Sequence, residues 1–376
     1  MRVLFAAVPG VGHLYPLVPL AWAFVAAGHD VRIAFAELTG KAAECGLPVV
    51  DVSPGWQAEE VVPRTLAAHP EFTEDAWQRP IPEDITPWAP LFAGVNRSLA
   101  EGALEFAGHW RPDLVVHEQV ATYGLVVATK LGVPAVQRNL ENFRTGRVHH
   151  EVARHLADLL DRHGVGTLDE PVATVEAFPP SLLTDEPEGW FTGEAPFTGG
   201  SVADRAAPER TGRPRIAVTT SSFPDFSLTA MRAVLGAGAG LDVDLALAGG
   251  VDTAPLEPLP PNARALGWTP YGELYRGSAA VVHHGSGGSV LAALHAGVPQ
   301  LVVLDPDDQS TPVVAAAVAK RGVGIVTTAD EVDAALLTRL VSDESLRAAT
   351  AEVRAERAGL PTTAETAARI TALVTG

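Results

Sequence analysis

The chain has 376 residues, 47% of them hydrophobic, and a formal net charge of −18. That size and apolar content suit two ordinary domains or one large one, while the acidic balance disfavours nucleic acid or an anionic membrane as partner, since both reward basic patches. A single cysteine, Cys45, excludes a disulfide framework and a cysteine metal site, and no internal repeat of solenoid type is present.

Val3–Val8 is a short apolar run of the kind buried on both faces of a parallel sheet. "PGVGHLYPLVPLAWAFVAAGHDVRIAF" follows, giving a turn at His13, an apolar helix to Ala27, a stop at Gly28 and a second strand at Val31–Phe35. Strand, loop, helix and strand in that order predict a βαβ unit. The start lacks the long apolar core of a signal peptide. Leu14–Ala27 is too short to span a bilayer and is interrupted by Pro16 and Pro19. The expectation is a soluble, cytoplasmic protein. Cys45, in "KAAECGLPVV", sits at a helix end before a strand and reads as an inert thiol. Gln57–Ile85 is weakly patterned and reads as loops and short helices over the carboxyl edge of the sheet, where substrate contacts usually sit. "RPDLVVHEQ" and "GLVVATKLGVPAVQRN" repeat the strand and helix pattern.

"DRAAPERTGRP" (Asp204–Pro214) reads as a linker. Beyond it, strands are expected at Arg215–Thr219, Val243–Leu247, Arg264–Leu266, Ala279–Val282 and Gln300–Val303, and the tail Ser342–Thr375 is helical with a break near Pro361. The predicted class is α/β, with two doubly wound Rossmann-like domains. The first domain takes 1–203, the linker 204–214 and the second domain 215–360. A last helix, 361–376, returns to the first domain. Ligands of such sheets bind beyond the carboxyl ends of the strands.

Those ends carry the chemistry. "VVHHGSGGSVLAALHAGVPQLVVLDPDDQ" (Val281–Gln309) runs from a strand through a Gly/Ser loop into a helix, with no lysine or arginine. A helix N-terminus offers unpaired N–H groups and about half a positive charge, so a phosphate can bind there unaided by lysine. Gly285, Gly287 and Gly288 let backbone approach, while His284, Ser286 and Ser289 add donors. The plainer alternative is an N-cap with locally satisfied histidines. No Gly-Lys-Ser/Thr occurs, and "PGVGHL" lacks the third glycine of a dinucleotide fingerprint. Trp268 follows a strand and suits stacking on a nucleobase or packing in the core. Asp308 and Gln309 suit sugar hydroxyls, or capping in the case of the aspartate. His13 is placed to take a proton from a hydroxyl, and Glu118, at the end of another strand, is the carboxylate that would orient it. Asp242-Val-Asp244 falls within an apolar strand, and no histidine group has zinc spacing. Trp77, Trp88, Phe92 and Phe143 are candidates for an apolar acceptor site.

In "GHLYPL", "RPDLVVHEQ", "GVPAVQRN", "EAFPPSLL" and "VVHHGSGGSVLAALHAGVPQL" the chain resembles the bacterial natural-product glycosyltransferases of the two-domain GT-B fold, and among them the enediyne (calicheamicin-type) enzymes. The resemblance runs nearly end to end. It implies that His13 is the base that deprotonates the acceptor and that Glu118 stands where many relatives carry Asp. Trp268 would stack on the base. His284 and Gly285–Ser289 would hold the donor diphosphate, and Ser222 would touch phosphate from the other side. Asp308 and Gln309 would bind the sugar. The usual motif has glycine where Ser286 stands. The implied reaction is a metal-independent inverting displacement with no cofactor, a TDP-deoxysugar as co-substrate and a hydrophobic aglycone, polyketide or enediyne, as acceptor. A homodimer is one option that the sequence leaves open. Competing readings are a sugar-nucleotide 2-epimerase of the same fold, an inactive partner that activates a transferase, and a nicotinamide dehydrogenase, which would need a full Gly-x-Gly-x-x-Gly turn.

Overall fold

Strands with few polar side chains need cover on both faces, and this chain supplies it twice. The computed structural model describes all residues except 38, 71–84, 145–147, 201–211, 220–223, 250–251, 307 and 309, and the side chains of 39 and 224–227. Contacts divide the chain into one unit of Met1–Glu194 with Leu360–Gly376 and a second of Ala195–Gly359.

In the first unit the strands are β1 (Arg2–Ala6), β2 (Asp30–Phe35), β3 (Val49–Asp51), β4 (Leu114–Glu118), β5 (Ala135–Asn139), β6 (Ala173–Glu176) and β7 (Trp190–Phe191). They form one parallel sheet in the order β3-β2-β1-β4-β5-β6-β7. The second unit holds β8 (Arg215–Thr219), β9 (Asp244–Ala248), β10 (Ala263–Gly267), β11 (Ala280–His283), β12 (Gln300–Leu304) and β13 (Gly324–Thr328). Their order is β10-β9-β8-β11-β12-β13, again all parallel. Both orders reverse direction next to the first strand of their unit, between β1 and β4 and between β8 and β11. That is where a doubly wound sheet opens a crevice for a ligand.

The central strands are the most deeply buried, with all five residues of β4 and four of five in β1 out of water. The helix Thr122–Leu131 lies close on this part of the sheet because Gly124 has no side chain. A Cβ there would stand 2.8 Å from both Ala6 Cβ and His117 Cβ. The first helix region is less regular than its apolar run suggested. It is a short turn of helix at Val11–Leu14, a 3-10 turn at Tyr15–Leu17 and a regular helix at Val18–Ala26, with Pro16 and Pro19 each near the start of a segment. Cys45 is buried, and burial, with the Glu44 charge assisting, pushes its thiol up to about 11 against its backbone hydrogen bond. A thiol held protonated in this way is a poor nucleophile. No described helix is long and apolar enough to cross a membrane.

The passage between units comes earlier than the polar stretch 204–214 suggested, at Glu194–Ala195. Buried partners fix it there. Glu194 pairs with the fully buried Arg138 at 2.6 Å, and Gly193 N–H donates to Pro361 O at 2.8 Å. Beyond it, Gly272 N–H donates to Thr198 Oγ1 within the second unit. Most of 204–214 lies outside the described residues. The terminal helix Thr363–Thr375 opens with a capping box at Thr362 and Glu365. It is held in the first unit by Arg369, stacked 3.6 Å over the Trp190 ring, and by Thr371 against His29.

Two neutral histidines sit behind β4 and β5. His117 and His149 meet edge to face, and His149 Nε2 lies 2.6 Å from Gln137 Oε1. Burial lowers His117 to about 4, and burial together with the neighbouring His117 lowers His149 to about 3. Both are ordinary in the unfolded chain, so below pH 6.5 unfolding takes up protons and stability falls with pH. Each proton contributes a slope of about 1.4 kcal/mol per pH unit. Urea denaturation between pH 6.5 and pH 4 is expected to show the midpoint falling, with a shallower fall in His149→Gln.

Candidate functional site

The first unit brings together two residues far apart in sequence. β1 ends at Ala6, and the turn after it places His13 at the carboxyl edge. β4, paired beside β1 with Ala6 opposite His117, ends at Glu118. The Glu118 side chain is wholly buried, so its oxygens need donors. Val120 N–H donates to Oε2 at 2.8 Å and Val8 N–H to Oε1 at 3.3 Å. Oε1 also faces His13 Nδ1 at 3.3 Å. That contact has the distance of an ion pair without the alignment of a full hydrogen bond. The longer side chain, where an aspartate was the usual expectation, therefore still reaches the ring.

The His13 side chain keeps 41% of its surface exposed. Its partial burial pulls the imidazole pKa down. The close negative charge of Glu118, with the charge of Glu141 behind it, outweighs that pull and leaves the group above its ordinary value. With Nδ1 turned to the carboxylate, Nε2 is the nitrogen left to accept a proton. Glu141 was not singled out from the sequence. It follows β5, and only the strand order places it near His13.

In the second unit, β11 ends at His283 and the Gly/Ser loop opens the helix Gly287–Ala296. Of the two adjacent histidines, His283 is the brace. Gly285 N–H donates to its Nδ1 at 3.0 Å, so Nε2 carries the hydrogen and donates to Gln300 Oε1 at 2.9 Å. Burial, opposed by the Gln300 bond, lowers His283 to about 3. His284 is half-buried, and its buried Nδ1 has no hydrogen-bond partner among the described residues. Burial lowers it to about 4 against the charge of Asp308. It is a neutral ring at physiological pH, able to donate one hydrogen bond.

Ser286 differs from its expected role as a donor to phosphate. It is the N-cap, its Oγ accepting from Ser289 N–H at 3.4 Å and donating to Ser289 Oγ at 3.0 Å. Ser289 is 1% exposed and lies close to the phenols of Tyr271 and Tyr275, so it belongs to the support beneath the loop. The N–H groups of Gly287 and Gly288 open the helix. Trp268 directly follows β10 and is 40% exposed, so its indole presents surface at the carboxyl edge of the sheet. Asp308 Oδ1 accepts from Ser310 N–H at 2.7 Å, the turn-capping alternative noted for it. Ser222, Gln309 and Trp77 lie outside the described residues. Trp88 and Phe143 are only 5% and 6% exposed, so both pack in the core of the first unit and offer little surface to an acceptor, whereas Phe92 is half-buried. Asp244 pairs with Arg213 at the amino end of β9, away from the ligand edge. Among the described residues no group of three or more His, Cys, Asp or Glu is placed to hold a metal ion.

Comparison with known proteins decides the family. Residues 22–221 match the N-terminal domain of the erythromycin biosynthesis protein CIII-like family, and residues 232–373 match its C-terminal domain. The chain belongs to this family. It is similar to the elloramycin glycosyltransferase ElmGT of Streptomyces olivaceus, 35% identical over 98% of this chain and 97% of that one. It is 29% identical to the erythronolide mycarosyltransferase of Saccharopolyspora erythraea over 98% of each. The glycosyltransferase SnogD from Streptomyces nogalater superposes with a TM-score of 0.85 at 34% identity, covering 100% of this chain and 99% of that one. SsfS6 from Streptomyces sp. SF2575, solved with thymidine diphosphate, gives 0.81 at 26% identity over 99% of each. The fold is GT-B, and the protein is a glycosyltransferase of the kind used in antibiotic biosynthesis. The epimerase and dehydrogenase readings fall away with that assignment.

Two glycines of the loop make different demands. Gly285 has φ +101°, and a Cβ would stand 2.9 Å from Val302 Cγ1 and 3.3 Å from Thr311 Cβ. A Cβ on Gly288 would meet nothing within 4 Å. Gly285→Ala is expected to lose at least about 1–3 kcal/mol, whereas Gly288→Ala is expected to hold or gain up to about 1 kcal/mol through helix propensity. Urea unfolding of the two variants checks the contrast.

Proposed function

We propose that this glycosyltransferase moves a deoxysugar from a TDP-sugar to a hydroxyl of a polyketide aglycone in one inverting displacement that needs no metal. The observation that carries the reading is the imidazole of His13 set 3.3 Å from a buried carboxylate with its other nitrogen free to work. Nε2 takes the acceptor proton and the O–H electron pair stays on the oxygen. That oxygen attacks the anomeric carbon, the bond from that carbon to the diphosphate breaks, and TDP leaves. Glu118 holds the ring and steadies the imidazolium, as an orienting carboxylate does in a catalytic triad.

On the donor side, the Gly287–Ala296 helix start and the neutral ring of His284 stabilise the charge that builds on the leaving diphosphate. Gly288 supports this reading independently of any motif. Glycine in a helix costs about 1 kcal/mol relative to alanine, and no neighbouring atom excludes a side chain here. Space kept clear at a helix start suits a phosphate. Trp268 stacks on the thymine, and Asp308 with Gln309 holds the sugar. Ser222 meets phosphate from the other side. TDP rather than another nucleotide is supported by the thymidine diphosphate bound in SsfS6 and in VinC, each 26% identical to this chain. The acceptor class follows the names of the relatives, an elloramycin glycosyltransferase and an erythronolide mycarosyltransferase, and the enediyne aglycone is one member of the wider polyketide class. Phe92 and Trp77 contribute to the acceptor site, and Trp88 and Phe143 support it from the core.

Calorimetric titration with TDP in the presence of EDTA is expected to show binding that weakens in His284→Ala, Trp268→Ala and Gly288→Ala. Absence of binding by wild type would remove the donor site. His13→Ala is expected to lose roughly 10²–10⁴-fold in kcat, the range for a general base, with TDP affinity unchanged. Full activity in that variant would remove the base.

A further inference from the structure

Glu141 is the carboxylate that the reaction scheme above does not use. Three adjacent strands, β1, β4 and β5, deliver three residues to one edge of the first unit: His13 after β1, Glu118 at the end of β4 and Glu141 just after β5. Glu118 is paired with Arg138 in the register, so the chain that leaves β5 one residue later departs beside the His13–Glu118 contact.

The loop that carries Glu141 is pinned along its length. Gln119, next to Glu118 and 4% exposed, accepts through Oε1 from Leu140 N–H at 2.7 Å and from Glu141 N–H at 3.3 Å. Asn142 O accepts from Thr184 N–H at 3.1 Å, and Asn142 Nδ2 donates to Leu182 O at 3.2 Å. Arg144 closes the loop onto the buried Glu176 at 2.6 Å, with Glu188 at 3.5 Å. A backbone held at three successive points fixes where the Glu141 side chain starts, and one of its carboxylate oxygens is out of water. Among the described residues, few charges bear on His13. Glu118 and Glu141 act on it directly. On the neighbouring flank Lys41 is paired with Glu44, and Glu37 is set against Glu59. The nearby His117 and His149 are neutral.

We propose that Glu141 is a second carboxylate serving His13, a positioning residue that shares with Glu118 the stabilisation of the imidazolium formed when the acceptor proton is taken. The inference rests on the reading of His13 as the base. The acceptor proton goes to Nε2, and neither carboxylate receives it. Two carboxylates make His13 a stronger base than one would, which suits a weakly acidic alcohol acceptor at the cost of a smaller neutral fraction at low pH.

The test is the NMR titration of the His13 ring in the full-length protein, its signal assigned by its loss in His13→Gln. In Glu141→Gln the His13 midpoint is expected to fall by roughly half a pH unit, as for one charge removed at partial exposure. Glu141→Ala is expected to give the same shift, and the distant Glu101→Gln none. A His13 midpoint unchanged in both Glu141 variants overturns the proposal. If the midpoint falls but His13→Gln retains full transferase activity, the electrostatic coupling stands while the base reading, and with it the role proposed for Glu141, is overturned. Support requires the fall in midpoint together with inactivity of His13→Gln.

Discussion

Glu118 has no water around it, so its carboxylate has to find its donors inside the protein. Two come from backbone, Val8 N–H and Val120 N–H, and both belong to the turns that leave the carboxyl edge of the sheet. The same side chain therefore fixes the exit of β1, the exit of β4 and the imidazole of His13. The carboxyl edge of the first unit is organised around that constraint. The parallel sheet makes it possible: β1 and β4 are neighbours only because the chain returns across the sheet after β3.

The donor half solves a different problem. As proposed, it receives an anion without a lysine or arginine in the loop. His283 spends both ring nitrogens on structure, one for Gly285 N–H and one for Gln300. Gly285 takes a backbone angle and a closeness to Val302 and Thr311 that a side chain would not permit. These two residues fix the helix start, while His284 and Gly288 are the residues proposed to meet the diphosphate. Ser286 stands where the usual motif has glycine, and here it covers part of the helix end with its own hydroxyl. A bound diphosphate would meet a capped N-terminus and not a bare one.

Much of this was legible in the sequence, for physical reasons. Buried parallel strands are short apolar runs, and those at Leu114–Val116 and Ala280–Val282, which lead to Glu118 and His283, were readable as such because nothing polar interrupts them. The strands that escaped notice are the weaker ones. β6 opens with half-buried Ala173 and Thr174, β7 is a two-residue edge strand of half-buried Trp190 and Phe191, and β13 carries Thr327 and Thr328 at its end. The candidate residues were chosen at strand ends because a doubly wound fold binds its ligands at the carboxyl edge of each sheet. The contact between His13 and Glu118 was not readable, since it depends on which strands are neighbours. Glu141 and Gln119 were missed for the same reason. The linker was placed by its composition, whereas the passage between units is set by the buried Arg138–Glu194 pair, a long-range contact. Burial was the other gap: Trp88 and Phe143 read equally well as ligand-facing or as core, and packing decides for the core.

The central claim is that His13 works as a neutral base whose basicity Glu118 sets. The pH dependence of kcat/KM in wild type and in Glu118→Gln tests it most directly. A base must be unprotonated, so activity should fall as pH drops through the His13 pKa, and the neighbouring carboxylates place that value above 6.5. The account predicts an acid limb above pH 6.5 in wild type that moves to lower pH in Glu118→Gln, with a reduced rate on the plateau. An acid limb at the same pH in both proteins would contradict it.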